Sequence, residues 1–224
     1  MKIIIVNGSP RTQGLTASFL HSIERNLRSK LEDPDIEFFD LSRLSMYQCT
    51  GCCSCYATGH CHMKDDAELL YEKIRNADAL ILGSPTYAGN VSGYMKLLID
   101  RGHFVIEQLL TGKYCVTVAT GENYGVRDAS RILNNLVLYS GGNLCDKIVM
   151  NAPFNGMKEV SDKIDRLGQR SADRLCSAIT GRRFYLFQHI FHLIVLNLGL
   201  RRFVLKKGVR YQGVIDKWKE LGIM

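Results

Sequence analysis

Residues 2–16 read KIIIVNGSPRTQGLT, an aliphatic run followed by a polar, glycine-containing turn. The uninterrupted run before Asn7 predicts a strand buried on both faces, because a half-exposed strand would alternate apolar and polar side chains. Gly8 and Gly14 enclose the turn, and the amphipathic pattern that begins at Leu15 predicts a helix. A buried strand, a tight turn and a helix in direct succession indicate an α/β fold with a parallel sheet.

The same alternation of short apolar runs and helix-period segments continues along the chain. It predicts five strands, at residues 2–7, 36–41, 79–84, 114–120 and 145–150. Five buried strands with helices between them predict a doubly wound parallel sheet. Such a sheet binds ligands beyond the carboxyl ends of its strands, at the point where the strand order reverses. The loops after the first, third and fourth strands therefore form the candidate site.

The turn after the first strand has the chemistry of a phosphate site. Its glycines allow a tight turn, and the helix that follows presents unpaired N–H groups and the positive end of its dipole. Ser9 and Thr16 add hydroxyl donors, and Arg11 adds a positive charge. On this turn alone, two interpretations stay open: a phosphate site, or an ordinary turn in which Thr16 caps the helix.

Two further loops rich in small residues follow the third and fourth strands. They read SPTYAGNVSG at residues 84–93 and TGENYG at residues 120–125. Loops of this kind let the backbone approach a flat ligand and bond to its polar edge. Tyr87 either packs against the face of such a ligand or is a half-buried loop aromatic. Three such loops at one sheet edge reinforce one another as a binding site.

Three motifs, GSPR at 8–11, SPTYAGNVSGYMK at 84–96 and ATGENYG at 119–125, resemble those of the flavodoxin-like FMN reductases. The resemblance covers roughly residues 1–155 and implies a flavodoxin-like five-stranded sheet of order 2-1-3-4-5. It implies that the first loop wraps the FMN phosphate and that the other two surround the flavin ring. The residues so implicated are Ser9, Arg11 and Thr16 for the phosphate, and Pro85, Thr86, Tyr87, Asn90, Thr120 and Gly121 for the ring. No catalytic side chain is implied, because the flavin itself accepts hydride.

Five of the eight cysteines lie between residues 49 and 61. With Cys53 set aside, Cys49, Cys52, Cys55 and Cys61 have the spacing Cys-x2-Cys-x2-Cys-x5-Cys. Thiolates at steps of three with a fourth nearby can close around an iron-sulfur cubane, whereas structural zinc sites combine two separated Cys-x-x-Cys pairs. The segment resembles the compact motif of the iron-sulfur flavoproteins, a branch of the same flavin family. A [4Fe-4S] cluster, a zinc ion and free redox-active thiols all stay open.

The positive charge of the chain is concentrated in its last 44 residues. Residues 181–224 hold nine basic and two acidic side chains, which accounts for the whole net charge of +7. Within them, segment 184–200 is apolar and bracketed by arginine pairs, but it is short for a membrane span and polar residues interrupt it. We expect an amphipathic helix that packs on its own domain or on a second subunit, with peripheral membrane contact as the less favoured alternative.

These features predict a cytoplasmic enzyme with an FMN-binding domain at 1–180 and a basic amphipathic C-terminal extension at 181–224. No secretory signal opens the chain, and clustered thiols suit a reducing compartment. We expect electrons to pass from NAD(P)H through FMN to a quinone, a flavin or another small acceptor, within a homodimer or homotetramer. No nucleic-acid partner is expected, because residues 1–180 are formally neutral. Two alternatives to an enzyme stay open: a non-enzymatic flavodoxin-type electron carrier and a nucleic-acid-binding regulatory flavoprotein.

Overall fold

The secondary structure of the computed structural model alternates strands and helices over the described residues, 1–153 and 158–224. The strands are β1 (Lys2–Asn7), β2 (Asp35–Asp40), β3 (Ala79–Tyr87), β4 (Asn90–Val91), β5 (Tyr114–Gly121) and β6 (Asn143–Asn151). The α-helices are α1 (Leu15–Lys30), α2 (Ser54–Thr58), α3 (Asp66–Arg75), α4 (Gly93–Arg101), α5 (Phe104–Glu107), α6 (Val126–Tyr139), α7 (Ser161–Thr180), α8 (Leu186–Ile194), α9 (Arg201–Lys207) and α10 (Gln212–Glu220). A π-helical segment, Val195–Leu200, joins α8 to α9.

Five parallel strands form the sheet in the order β2-β1-β3-β5-β6, which confirms the predicted doubly wound topology. A sixth strand, β4, was not predicted, and it pairs antiparallel with the end of β3. Ala88 and Gly89 form the turn between these two strands, with φ angles of 48° and 75°. A two-residue turn with both φ angles positive folds the chain back as a hairpin. The described sheet therefore has six strands rather than five.

Helices cover both faces of the sheet, and β1 supplies both cores. Ile3 and Ile5 pack on the side of α1 and α7, while Ile4 and Val6 pack on the side of α3, α4 and α6. Because successive residues of a strand face opposite sides, an unbroken aliphatic run is what a strand covered on both faces requires.

The chain beyond α7 continues as a helical extension with an apolar cluster of its own. Its buried members are Leu196, Val204, Val214, Ile215 and Trp218. The Trp218 side chain is fully buried, and its Nε1–H donates to the C=O of Ile106 at 2.9 Å. The extension is thus tied to α5, although a division of the chain into units at residue 180 stays a prediction.

Helix α8 packs on the domain through polar side chains. Gln188 bonds both the N–H and the C=O of Leu144, at 2.8 and 3.0 Å, and the buried His192 bonds Gln108. Gln188 satisfies backbone groups of the edge strand β6, which an apolar side chain cannot do. On the apolar face of segment 184–200, Phe191 stacks on Tyr139 of α6 with ring centroids 5.6 Å apart, while Phe187 and Leu198 are 86% and 64% exposed. That face therefore packs on its own domain only in part, and its packing on a second subunit stays a prediction. In the described ranges, no helix has the length and apolar character to cross a bilayer.

Candidate functional site

A cavity of about 200 Å³ lies beyond the carboxyl ends of β1, β3, β5 and β6. This is the edge at which the strand order reverses, between β1 and β3, as the fold leads one to expect. The lining residues are Ser9, Arg11, Gly14, Leu15, Thr16, Pro85, Tyr87, Thr120, Gly121 and Ala152. Seven of the nine residues implicated in FMN binding are among them.

The two other implicated residues, Thr86 and Asn90, do not line the cavity. Asn90 belongs to β4, and its Oδ1 accepts from the N–H of Val91 at 2.8 Å. Thr86 packs against Gly121, where a Cβ would lie 2.5 Å from Thr86 Cγ2. The Thr86 hydroxyl is buried without a hydrogen-bond partner.

Three lining residues, Gly14, Leu15 and Ala152, were not implicated from the sequence. Gly14 and Leu15 belong to the turn and the helix start whose backbone N–H groups were predicted to face the phosphate, whereas the resemblance named only side chains there. Ala152 directly follows β6, and its N–H donates to the C=O of Gly121 at 2.9 Å. Ala152 could have been predicted to line the site from its position after the fifth predicted strand, because all parallel strands end at the same sheet edge.

The first turn of α1 is built to hold an anion. Gly14 is its N-cap and provides no side-chain hydrogen bond, and the first turn holds no acidic residue. The helical ladder begins with the N–H of Ser18 donating to the C=O of Gly14 at 2.9 Å. The preceding N–H groups of the first turn, at residues 15–17, therefore have no partner within the helix and are directed along its axis.

The chain before this turn is folded by short polar side chains. The Asn7 Oδ1 accepts from the N–H of Ser9 at 3.0 Å, and the Ser9 Oγ accepts from the N–H of Arg11 at 3.1 Å. Asn7 is itself held by Asp40, to which its Nδ2 donates at 2.8 Å. Hydrogen bonds that start from Asn7 at the end of β1 thus fix the conformation of the loop, and Arg11 lines the cavity.

Hydrogen bonds join the three loops to one another. The Ser92 Oγ donates to the C=O of Gly8 at 2.5 Å and caps α4, and the N–H of Ser92 donates to Ser84 Oγ at 2.9 Å. The hydroxyls of Thr16 and Thr120 lie 2.6 Å apart and link the first loop to the third. The loops therefore form one connected rim, and its donors and the 47% exposed ring of Tyr87 fit FMN.

The cysteine segment lies between β2 and α3, with Cys49 and Cys52 exposed and Cys55 and Cys61 partly buried. Burial, reinforced by the carboxylate of Glu107, raises the pKa of the Cys55 thiol to about 12. At neutral pH this thiol stays protonated unless a cation binds it, because a metal stabilises the thiolate form.

Cys53 stands apart from the other thiols of the segment. It adopts a left-handed conformation, with φ of 60°, and its Sγ contacts the C=O of Gly51 at 3.4 Å. Cys52 lies 3.3 Å from the Nδ1 of His62. Cys49, Cys52, Cys55 and Cys61 remain as four donors, which is the number of thiolates that a cubane takes, and their assignment as ligands stays a prediction.

The sulfur positions do not match a mononuclear zinc site. A tetrahedral zinc with Zn–S bonds of about 2.3 Å holds its sulfurs about 3.8 Å apart. Over the described parts of the chain, the one group of three metal-ligating side chains with ligand atoms within 4.8 Å of one another is His60, Glu68 and Glu72. That group contains no thiol, and its His60 forms a surface pair with Glu68 at 3.5 Å. A cubane binds each thiolate to a different iron and needs wider spacing.

A buried arginine holds both ends of the cysteine segment. The Arg101 Nη1 donates to the C=O of Tyr47 at 2.6 Å and to Asp65 at 2.7 Å, and its Nη2 donates to Asp65 at 2.8 Å and to Cys61 Sγ at 3.5 Å. The hydrogen bond to Asp65 raises the pKa of Arg101 above its ordinary value. No sequence motif assigned a role to Arg101, although it falls on the same helical face as the buried Met95 and Leu98.

The C-terminal extension covers the cysteine segment from the other side. The rings of Tyr56 in α2 and Tyr211 lie 4.9 Å apart. At Gly213 a Cβ would lie 2.0 Å from the backbone N of Gly59, so the backbone of α10 is in direct contact with the backbone of the cysteine segment. Lys217 is buried, and its Nζ lies 3.0 Å from Glu107 Oε2 and bonds the hydroxyl of Tyr71 at 3.0 Å.

One cysteine of the segment, Cys49, lines a cavity that adjoins the first cavity at Tyr87. A second, more open cavity of about 620 Å³ is lined by Cys49 together with Pro10, Tyr87 and residues of α4. Tyr87 lines both cavities, and Pro10 is the neighbour of Ser9 and Arg11 in the first loop. The two candidate cofactor sites are therefore adjacent, with one aromatic side chain between them.

Comparisons with known proteins agree with this architecture. The family described as NADPH-dependent FMN reductase matches residues 1–154. An iron-sulfur flavoprotein of Clostridioides difficile is 32% identical over 100% of both chains, and one of Methanocaldococcus jannaschii is 32% identical over 62% of this chain and 72% of its own. A solved flavone reductase covers 80% of this chain with a TM-score of 0.62 at 16% identity, which shows the fold alone; this chain spans 63% of its length. The resemblance seen in the loop motifs is confirmed, and the chain belongs to the NADPH-dependent FMN reductase family, a family of FMN-dependent oxidoreductases.

Proposed function

We propose that this protein oxidises NAD(P)H with FMN held in the cavity at the sheet edge. Cys49, Cys52, Cys55 and Cys61 would hold a [4Fe-4S] cluster, which would supply one-electron transfer, and the final acceptor would be a quinone, a flavin or another small molecule. The observation that carries the proposal is that Tyr87 lines both the flavin cavity and the cavity of Cys49. A two-electron centre and a one-electron centre need such proximity to exchange electrons.

The protein's own groups bind and orient FMN. Arg11, Ser9 and the free N–H groups at the start of α1 receive the phosphate, because a helix N-terminus with a charged donor favours an anion. The loops that contain Pro85 and Gly121 receive the ring. When bound, FMN supplies hydride acceptance at N5 and releases the electrons in one or two steps.

The more open cavity beside Tyr87 is the proposed entrance for the nicotinamide and for the acceptor. Its rim carries Lys96 and Asp100, which pair with each other at 2.5 Å, and the partly exposed Tyr94. A cavity that is open to solvent and apolar on one side admits a planar ring without a lid. Tyr87 then excludes water from one side of the ring.

Three features support the cluster. The four cysteines have a cubane-compatible spacing, Arg101 places a positive charge beside Cys61, and the relatives in Clostridioides difficile and Methanocaldococcus jannaschii are iron-sulfur flavoproteins. An adjacent cation stabilises thiolates and the anionic cluster that they bind. The burial of Cys55 keeps one ligand away from water.

Anaerobic reduction of the FMN-loaded protein tests the enzyme activity. We expect NADH or NADPH to bleach the flavin absorbance, and a quinone or free flavin to restore it repeatedly. A flavodoxin-type carrier would be reduced by dithionite but by neither nucleotide, and that result would overturn the proposal. Retention of activity in Cys53→Ser provides the matched control for damage to the segment.

We also propose that the chain forms a homodimer or homotetramer. Aromatic side chains near the loops, Tyr94 and Tyr124, are 39% and 69% exposed, and closed symmetry is the usual way to cover such groups. Light scattering of the FMN-loaded protein at micromolar concentration tests this, and a monomer would contradict it. A cytoplasmic location stays a prediction.

A further inference from the structure

Helix α8 and its continuation present an apolar surface to solvent. The side chains that form it are 45–86% exposed, and Phe187 is the most exposed of them. They are Phe184, which lies just before α8, and Phe187, Ile190, Ile194, Leu198 and Phe203. Exposed apolar groups that are contiguous along one helix, rather than scattered singly, mark a contact surface.

This surface is the result of how α8 is seated. Its inward side holds the polar Gln188 and His192, both of which have specific partners, in Leu144 and Gln108. If the apolar side turned inward, the bonds from Gln188 to the edge strand β6 and from His192 to Gln108 would break. Exposure of the apolar side is therefore fixed by the fold.

The charge around the apolar surface is of one sign. Between residues 181 and 215 the sequence holds seven Lys or Arg and no Asp or Glu. Arg182 and Arg183 precede the apolar stretch, and Arg202, Lys206 and Lys207 follow it, all of them exposed. An amphipathic helix with basic ends is the pattern of helices that lie in the interface of an anionic membrane.

The charge pattern distinguishes a membrane from a second copy of the chain. A symmetric pair through this face would bring two sets of seven cations together without an acidic partner in either segment, which is unfavourable. An anionic lipid surface offers both hydrocarbon for the phenylalanines and negative charge for the arginines and lysines. We propose that α8, the π-helical segment and α9 dock this protein on the surface of anionic phospholipid bilayers.

Docking through this face leaves the flavin cavity open. Gln188 bonds Leu144, the second residue of β6, and this fixes α8 at the amino end of the sheet. The cavity lies at the carboxyl ends of the same strands. The α8 part of the docking face and the flavin cavity therefore lie at opposite ends of the sheet, whereas α9 reaches the cysteine segment through the contacts of Phe203 with Tyr211 and of Tyr211 with Tyr56.

Vesicle flotation of the full-length, FMN-loaded protein tests the proposal, with flavin fluorescence as the readout. We expect binding to phosphatidylcholine vesicles that contain about one third phosphatidylglycerol, weaker binding as salt is added, and no binding to pure phosphatidylcholine. Phe187→Ser should weaken binding at least about tenfold, and the double change Arg202→Glu with Lys206→Glu by a similar factor or more. All three side chains are exposed, so the variants should fold and keep FMN.

Matched controls separate the surface from general stickiness. Leu69→Ser removes an apolar side chain that is 58% exposed on α3, and Arg166→Glu reverses an exposed charge on α7. Neither should change vesicle binding. Failure of the wild type to bind anionic vesicles at low salt, or unchanged binding by Phe187→Ser, would overturn the proposal. A dimer that ignores vesicles and dissociates on Phe187→Ser would assign the face to a second copy and equally overturn it.

Discussion

The flavin cavity and the cysteine segment share Tyr87 as a neighbour, yet they are constructed differently. In the cavity, most binding groups are backbone or small side chains at the ends of β1, β3 and β5, where the sheet holds them. In the cysteine segment, the groups are four side chains on a stretch whose one helix, α2, has five residues. That stretch is positioned by Arg101 and by the contact of Gly213 with Gly59.

This difference decides how each site responds to a change of one residue. Many weak donors anchored to a sheet lose affinity by degrees when one is removed. A cluster needs all of its ligands at once, and a loop with few contacts depends on each of them. We therefore expect all-or-none effects in the cysteine segment and graded effects in the flavin cavity.

The largest effect is expected from Cys49→Ser, Cys52→Ser, Cys55→Ser or Cys61→Ser. Each should lower the iron content of anaerobically purified protein from about four per chain to none, because a cubane needs four thiolates. FMN binding should persist in all four variants. Cys53→Ser is the control and should keep both cofactors. Absence of iron from the wild type after anaerobic reconstitution, with normal flavin reduction by NAD(P)H, would leave a plain FMN reductase.

The next largest effect is expected from Arg101→Met. This change leaves the buried Asp65 with two backbone donors, the N–H groups of Tyr47 and Ala67, but without its cation. Loss of one charge from a buried pair costs about 3–5 kcal/mol of unfolding free energy. The matched control is Lys96→Met on the same helix, which breaks an exposed pair with Asp100 and should cost less than about 1 kcal/mol. Urea unfolding measures both. Equal losses in the two variants would show that the cysteine segment does not depend on Arg101.

A graded effect is expected from Arg11→Ala. Loss of one charge-assisted bond to the phosphate costs about 1.5–3 kcal/mol, which weakens FMN binding roughly ten- to hundredfold. Binding of riboflavin, which lacks the phosphate, should not change, and this separates a phosphate contact from a general defect. Arg25→Ala, at an exposed site paired with Asp165, is the control for charge. Fluorescence quenching measures all of these affinities, and an unchanged FMN affinity would remove Arg11 from the site.

The sheet was predictable from the sequence because its signal is local. The strand at residues 2–7 was predicted with its observed bounds, because an unbroken aliphatic run that ends at a polar turn indicates a strand buried on both faces. β3, β5 and β6 extend beyond their predicted ends, and β2 begins and ends one residue earlier than predicted. The hairpin strand β4 was missed because it depends on a positive φ at Ala88, a conformation that alanine does not signal.

The contacts between distant segments were not predictable. The helical pattern of segment 184–200 showed an amphipathic helix, but not that Gln188 would meet the edge strand and turn the apolar side outward. Lys217 was counted within a basic tail, whereas it is buried against Glu107. Composition gives the number of charges, while only the fold gives their partners. The same holds for Arg101, whose role depends on Asp65.

The smallest effect is expected from Thr120→Val, and it tests the graded character of the flavin cavity most directly. The change removes the 2.6 Å contact between the hydroxyls of Thr120 and Thr16, both of which are buried. Loss of one such bond should lower the unfolding free energy by about 1 kcal/mol and weaken FMN binding by less than about tenfold, because the backbone donors at the start of α1 remain.

The matched control is Thr117→Val on the same strand, which removes an equally short 2.6 Å bond to Asn134 away from the cavity. It should cost similar stability and leave FMN affinity unchanged, so the difference between the two variants isolates the contribution of the rim. Thermal unfolding and FMN titration measure both quantities. If Thr120→Val abolished FMN binding while Thr117→Val did not, one side chain would carry the flavin site. The cavity would then be as dependent on single residues as the cysteine segment, and the contrast between the two regions would be wrong.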